Sequence, residues 1–329
     1  MWIAMACGAT HNVAKLALSV ACDAYDYLQP LREGNVEVVG IDLNLLTVES
    51  GIRHDRMNAY GEYDACEFSM GSYLTARALG IDSLVSIPFF PRRMFGHRYC
   101  FVRAGSGIAE PADLRGRRIG VLAYQNSLAL MVKGMLTHTY GLALTDATWV
   151  TAREERVRWN IPSNIAIEVA DGGRSLEELL LAGEIDAMIA PDLPKAWLQG
   201  SGALVRLFPN FDEDERRYYN ETRIFPIMHA VVIKKEIVDR DPWVATSLYE
   251  AFVESKRRYD QFTQQPHRLS SVWHNRDEEG EFFGKDPFSQ GLSKNRHDLD
   301  AMMQFAREQG MFPHALAVGE LFTPNTRAT

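Results

Sequence analysis

The sequence predicts a two-lobed α/β protein, and three observations carry that reading. The 329 residues exceed what one ordinary core takes up and suit two lobes of roughly 100–200 residues each. Short apolar strands alternate with helical patterns along the chain, the signature of parallel α/β layers. No internal repeat or low-complexity tract interrupts the alternation.

The elements follow in order. Residues Asn35–Leu46 read as extended, Ile52–Ala59 as a helix and Tyr63–Glu67 as a short strand. Ser69–Leu79 is helical and stops at Gly80, a residue suited to a left-handed C-terminal cap. Leu84–Phe89 is a further strand. Gly107–Val121 runs from a turn through a short helix into a strand, and Asn126 or Ser127 caps the helix that follows. That helix carries Leu128, Met131, Val132 and Met135 at helical spacing and ends at Gly141. Ala147–Val150 and Ile165–Val169 read as strands. Ser175-Leu-Glu-Glu178 is a capping box opening a helix that ends at Gly183, and Ile185–Ala190 is the next strand. His229–Lys234 is rich in β-branched residues, and Pro242 opens a long helix from Trp243 to Phe262. An irregular segment, 274–295, precedes a last helix around Leu299–Gln309.

Bulk composition narrows the function. A hydrophobic fraction of 46% with 24% charged residues is that of a folded globular chain, so a disordered or fibrous protein is excluded. The net charge of −8 argues against nucleic acid or an anionic membrane as partner. It leaves room for a small anion, because clustered arginines make a positive cleft on a negative protein. Cys7, Cys22, Cys66 and Cys100 form no C-x-x-C pair and match no zinc spacing, and are expected to be reduced and mostly buried. The N-terminus shows no basic region ahead of an apolar stretch, and no run of 18 apolar residues occurs. A cytoplasmic protein, with no membrane partner, is the expectation. A homo-oligomer is the default expectation for a globular protein of this kind.

Several strings carry chemistry. In open α/β sheets ligands sit beyond the carboxyl ends of strands, where helix N-termini offer free N–H groups to anions. Glu67-Phe-Ser69-Met-Gly-Ser72 and Ala123-Tyr124-Gln125-Asn-Ser127 are two such strand-to-helix turns. Ser69 and Ser127 serve equally well as simple helix caps. In Ile87-Pro-Phe-Phe-Pro-Arg-Arg93-Met-Phe95-Gly-His97, arginine forks suit carboxylates and phenylalanine faces suit an aromatic ring. The same composition also makes a rigid connecting loop with surface arginines. His229 closes the string from Tyr218 and opens a strand, where a histidine faces either a cleft or the core.

Two pieces, Pro111-Ala-Asp-Leu-Arg-Gly-Arg-Arg-Ile-Gly-Val121 and Leu176–Pro191, resemble the type II periplasmic-binding-protein architecture. That resemblance implies a ligand cleft between a discontinuous lobe 1 (1–100 plus 226–329) and lobe 2 (101–225). A more specific likeness covers nearly the whole chain. Glu67-Phe-Ser69, the Ile87–His97 loop, Gly120-Val-Leu-Ala-Tyr124-Gln125 and Thr222-Arg-Ile-Phe-Pro-Ile-Met-His229 resemble the 4,5-dihydroxyphthalate decarboxylase family. The chain departs from the family pattern at Leu122-Ala123, where Pro-Glu is usual, so one carboxylate near the cleft is missing, and at Gly96, where Arg is usual.

The resemblance implies a carboxy-lyase that releases CO₂ from a hydroxylated aromatic acid and protonates the ring carbon. His97 or His229 is then the proton donor, with the other orienting the phenol, and Glu67 accepts the phenolic proton or simply braces the next turn. Arg93 clamps a carboxylate, while Ser69, Ser72, Tyr124, Gln125, Ser127 and Phe95 position the ring. No cofactor is expected. A divalent metal on His97, His229 and Glu67 is the alternative, unsupported by any H-x-x-H or H-E-x-x-H spacing. Competing readings are a solute-binding protein for an aromatic carboxylate and a related lyase or synthase acting on a larger cyclic acid.

Overall fold

The computed structural model describes residues 14–160, 162–263, 280–284, 286–312 and 316–329. Cys7 lies outside the described residues, as does most of the first half of the irregular 274–295 segment. The strands form two sheets. The first contains β1 (Leu16–Cys22), β2 (Ile41–Thr47), β3 (Ala65–Ser69), β4 (Leu84–Ile87) and β11 (His229–Lys234), in the order β2-β1-β3-β11-β4. The second contains β5 (Cys100–Arg103), β6 (Arg118–Val121), β7 (Thr148–Thr151), β8 (Ile167–Val169), β9 (Ala187–Ile189) and β10 (Leu204–Arg206), in the order β10-β5-β9-β6-β7-β8. Three neighbouring pairs in the second sheet, β9-β6, β6-β7 and β7-β8, are parallel, whereas β5 runs antiparallel to both its neighbours. β11 enters the first sheet between β3 and β4 and is antiparallel to both.

Helices cover the sheets. α1 (Gln29–Arg32), α2 (Ser50–Tyr60), α3 (Met70–Ala78), α8 (Lys235–Arg240) and α9 (Trp243–Thr263) accompany the first sheet. α4 (Ser127–His138), α5 (Leu176–Ala182), α6 (Lys195–Leu198) and α7 (Phe211–Thr222) accompany the second, and α10 (Arg296–Glu308) packs on α4. One core cluster joins Leu18, Val20, Val231 and Ile233 of the first sheet to Leu248 and Phe252 of α9. Another joins Phe101 and Met188 of the second sheet to Leu176 and Leu180 of α5. The largest cluster lies between the lobes, where Leu74 of α3, Leu128 and Val132 of α4, and Phe305 of α10 share one apolar core. The central strands β3 and β11 are buried along almost their whole length, as expected of strands covered on both faces.

Some elements differ from the sequence expectation. Residues 35–40 form a turn, with Gly40 at φ +73°, so β2 starts six residues later than the extended reading. β1, β5, β10 and α7 were not legible. The sequence of α7, Phe-Asp-Glu-Asp-Glu-Arg-Arg-Tyr-Tyr-Asn-Glu-Thr, is dominated by charge, and its helix is favoured by Asp212, Glu213 and Asp214 in the first turn. The capping box at Ser175 forms as read, with Gly183 left-handed at the C-cap.

The lobes meet backbone to backbone where α3 and α4 begin. Asn126 caps α4 through Leu128 N (3.0 Å) and Ala129 N (3.4 Å). The Ser127 hydroxyl is thereby released to pair with the Ser69 hydroxyl (2.9 Å) and to accept from Gly71 N (3.0 Å). Gly71 permits this approach, because a Cβ there would stand 2.0 Å from the Gln125 carbonyl oxygen. Gly71→Ala should therefore push the lobes apart and cost about 1–3 kcal/mol in chemical denaturation, as overpacking against backbone does. An unchanged unfolding midpoint would show that the junction yields freely.

Candidate active site

The register of β3 against β11 builds the centre of the site. His229 lies opposite Ser69 and Val231 opposite Glu67, so Glu67 and His229 are diagonal neighbours on one face. Both side chains are long enough to meet, and His229 Nδ1 is 2.5 Å from Glu67 Oε1. Glu67 is fully buried and is satisfied from all sides. Tyr25 Oη donates to Oε1 (2.7 Å), the Asp23 amide donates to Oε2 (3.0 Å), and the Arg53 guanidinium pairs with Oε2 (2.8 Å). Arg53, on α2, also donates to the Glu67 carbonyl (2.9 Å) and to the Val48 carbonyl. Burial alone would raise the Glu67 carboxyl, but His229, Arg53 and Tyr25 outweigh it and hold the group down at about 2.

His54, the residue after Arg53, sets its ring edge-to-face against His229 with centroids 4.8 Å apart. Burial pushes His54 well below the ordinary histidine range, and the charges of His229, Arg53, Arg156 and Arg153 add to that. Burial likewise lowers His229, with Glu67 opposing the shift.

His54 and His229 line a cavity of about 250 Å³ between the lobes, together with Arg92, Ser127, Arg153 and Arg156. Arg153 and Arg156 follow β7, and Asp55 of α2 reaches across to both, at 3.5 and 2.7 Å. Glu49 and Asp192 also line this cleft but are exposed, whereas the three arginines are half-buried. The interior of the cleft is therefore the more cationic part.

The other residues singled out from sequence are distributed differently. Ser127 lines the cleft, and Ser69 sits behind it as its partner. Ser72 is buried in the first turn of α3. Arg93 points away, pairing with Asp298 (2.9 Å), Asn295 and the Phe225 carbonyl (2.9 Å). Phe95 packs on Phe225, with centroids 4.9 Å apart, and on Phe283. His97 is buried among Tyr140, Phe208 and Tyr218, with Nε2 3.1 Å from Tyr140 Oη, and burial with Arg217 and Arg98 lowers it to about 3.

The turn at 123–127 does bind a carboxylate, but an internal one. Glu155 accepts from the amides of Tyr124 and Gln125 (3.0 Å for the latter), Gln125 Nε2 donates to the Val157 carbonyl (2.5 Å), and Tyr124 stacks on Trp159. Lys133 Nζ, buried beneath, donates to the Tyr124 carbonyl (2.9 Å). Thus the carboxylate absent at Ala123 is supplied to this turn from residue 155.

His97 does not join Glu67 and His229. Among the described residues, no group of three or more His, Cys, Asp or Glu side chains is placed to hold a metal ion. Cys22, Cys66 and Cys100 are free and buried. Among the described residues no helix is long and apolar enough to cross a membrane. A second cavity, about 450 Å³, is lined by Arg93, Phe95, Arg98, Glu215, Phe225 and Phe283. Its buried Arg93 is matched by Asp298 and its half-exposed Arg98 by Glu215 (2.6 Å), while Arg216 on its rim is exposed, so its interior offers less to an anion than the smaller cleft.

Sequence reasoning missed Arg53, His54, Arg92, Arg153 and Arg156. Two signals were present: a short helix with few apolar residues for its buried face, and the string Arg153-Glu-Glu-Arg156-Val-Arg158 directly after a strand.

This architecture and its interlobe site define a class, the two-lobed type II periplasmic-binding-protein fold. The backbone is similar to the periplasmic aliphatic sulphonate binding protein SsuA of Escherichia coli (TM-score 0.55, 13% identity, 95% of this chain and 99% of that one). It is also similar to the desulfurization enzyme DSZB (TM-score 0.51, 18% identity, 95% and 98%). At these identities the likeness is one of fold. No family model matches the chain. In sequence the chain is 31% identical over 322 residues to 4,5-dihydroxyphthalate decarboxylase of Comamonas testosteroni, covering 95% of this chain and 98% of that protein. It is 34% identical over 192 residues to the enzyme of the same name from Pseudomonas putida, covering 56% and 74%. The chain belongs to the 4,5-dihydroxyphthalate decarboxylase family.

The buried titratable groups make stability pH-dependent. His54, His97 and His229 all titrate below the ordinary 6.5 when folded, so the unfolded chain binds protons first and stability is lost as pH falls through and below 6.5. Glu67, depressed from 4.5 to about 2, adds a second loss between those values. Each histidine contributes a slope of up to about 1.4 kcal/mol per pH unit. His97→Asn should flatten urea-denaturation stability between about pH 6.5 and 5 by one such increment. An unaltered slope would place the His97 shift in doubt.

Proposed function

We propose that this chain is a carboxy-lyase that decarboxylates a hydroxylated aromatic acid of the dihydroxyphthalate type in the interlobe cleft, with His229 as proton donor. The observation that carries this reading is the buried Glu67–His229 pair opening onto a cationic cleft, in a chain whose relatives are named 4,5-dihydroxyphthalate decarboxylases.

Glu67 is ionised and accepts only, so Nδ1 of His229 carries the proton between them, and Nε2 is the nitrogen left for the substrate. A ring hydroxyl ortho or para to the departing carboxylate pushes electron density onto the carbon that bears it. That carbon takes the proton from Nε2 of the His229 imidazolium, forming the new C–H bond. The C–CO₂ bond then breaks, its electron pair restores the aromatic ring, and neutral CO₂ leaves. Burial lowers the basicity of His229, which makes its imidazolium a better acid. Glu67, held in place by Arg53, Tyr25 and the Asp23 amide, fixes the ring orientation through the cycle. On this reading no metal or organic cofactor is required.

The test is CO₂ release from 4,5-dihydroxyphthalate and a panel of hydroxybenzoates, with and without a chelator. Wild-type protein should release CO₂ equally in both conditions, and His229→Asn should lower kcat by about 10²–10⁴-fold. Tight binding without CO₂ release would replace the enzyme by a binding protein. Loss of activity with chelator would assign the cleft a metal.

A further inference from the structure

The three arginines of the cleft are not equivalent. Arg156 is committed, donating to Asp55 (2.7 Å) and to the Gly51 carbonyl (3.5 Å). Arg153 stands at the longer distance of 3.5 Å from Asp55, and its Nε is buried with no hydrogen-bond partner. Arg92, in the loop after β4, is half-buried and makes no side-chain hydrogen bond or ion pair among the described residues. Its charge nevertheless acts on His229 and Tyr25. Arg92 and Arg153 thus both retain unused donors, Arg153 despite its longer ion pair with Asp55, and they face one cavity from opposite lobes.

The chemistry of decarboxylation decides what they hold. A cation bound to the departing carboxylate stabilises its charge in the ground state and raises the barrier to neutral CO₂. A carboxylate that stays on the ring keeps its charge throughout, so arginine binding there costs nothing at the transition state. We propose that Arg92 and Arg153 form a cross-lobe clamp on the carboxylate that the substrate retains, so that the cleft selects an anionic ring substituent over a neutral one at that position. The assignment rests on the decarboxylase reading for which carboxylate is held, but the selectivity itself is a binding property. Ser127 and Asn126, which line the same wall, are hydroxyl and amide groups and add no charge to compete with the clamp.

The experiment is calorimetric binding of phthalate and of phthalamide, in which neutral amides replace both carboxylates, to wild type, Arg92→Gln, Arg153→Gln and Arg153→Lys; neither ligand carries an activating hydroxyl. Wild type should prefer phthalate by about tenfold or more, the scale of one charge-assisted pair. Either glutamine variant should lose that preference, chiefly through weaker phthalate binding, and Arg153→Lys should keep part of it. Arg92→Gln is the more decisive variant, because it breaks no side-chain hydrogen bond or ion pair among the described residues. Equal weakening of both ligands, or an unchanged preference, overturns the clamp, and so does a wild type that does not discriminate. Discrimination lost in the variants without CO₂ release from 4,5-dihydroxyphthalate would sink the decarboxylase reading and leave the clamp standing. CO₂ release with selectivity unchanged in both glutamine variants would do the reverse.

Discussion

The carboxylate of Glu67 is the group around which the site is organised. It has no contact with solvent, and a buried carboxylate survives as an anion only where charges and donors surround it. Here Arg53 from α2, Tyr25 and the Asp23 amide from the segment after β1, and His229 from β11 converge on its two oxygens. Four separate segments of the chain are thereby fixed relative to one another at the end of β3. Breaking such a buried pair by removing one partner costs about 3–5 kcal/mol, because the other charge is left without compensation. The same convergence orients His229, so stability and the placement of the proposed proton donor rest on one cluster.

The lobes depend on a second close contact. Small residues at the starts of α3 and α4 let backbone approach backbone, with Gly71 beside Gln125 and the Ser69–Ser127 hydroxyl pair between. Beneath that turn, Glu155 fills the amide nest and Lys133 supports the Tyr124 carbonyl. Burial drives Lys133 well below the usual lysine range, with Glu155 opposing it, and raises Glu155 itself. The wall of the cleft that carries Asn126 and Ser127 is in this way braced from inside the second lobe. The anion-binding capacity that the sequence suggested for this turn is used by the protein itself. The arginines that line the cleft are the cationic groups left there for the anion of the proposed substrate.

Site residues were partly legible. His229 and Glu67 stood out because they belong to distinct strings at strand ends, and the register of two strands brings them together. The arginine reading chose Arg93 where the cleft is lined by Arg92. Adjacent residues of an extended loop point to opposite sides, and nothing in the local sequence says which side holds Asp298 and which holds the cavity. His97 shares a loop with Arg92, yet its aromatic surroundings come from Tyr140, Phe208 and Tyr218, residues 43 to 121 positions further along. His54 and Arg53 were passed over because a short polar helix reads as a solvent-facing one until a sheet end is found beneath it.

By itself the sequence determined what depends on local pattern: the alternation of strands and helices, the capping box at Ser175, the left-handed glycine at 183 and the strings that mark the family. These are short-range properties, set by side-chain period and by which residues tolerate a given backbone angle. Only the tertiary structure decided which polar residues are partnered internally and which remain available to a ligand. Arg93, Tyr124 and Gln125 are spent on Asp298, Glu155 and Val157, while Arg92, Arg153 and His54 face the cleft. The physical reason is that a buried polar group must find its partner in space, and the partners here lie 31 to 205 residues away along the chain.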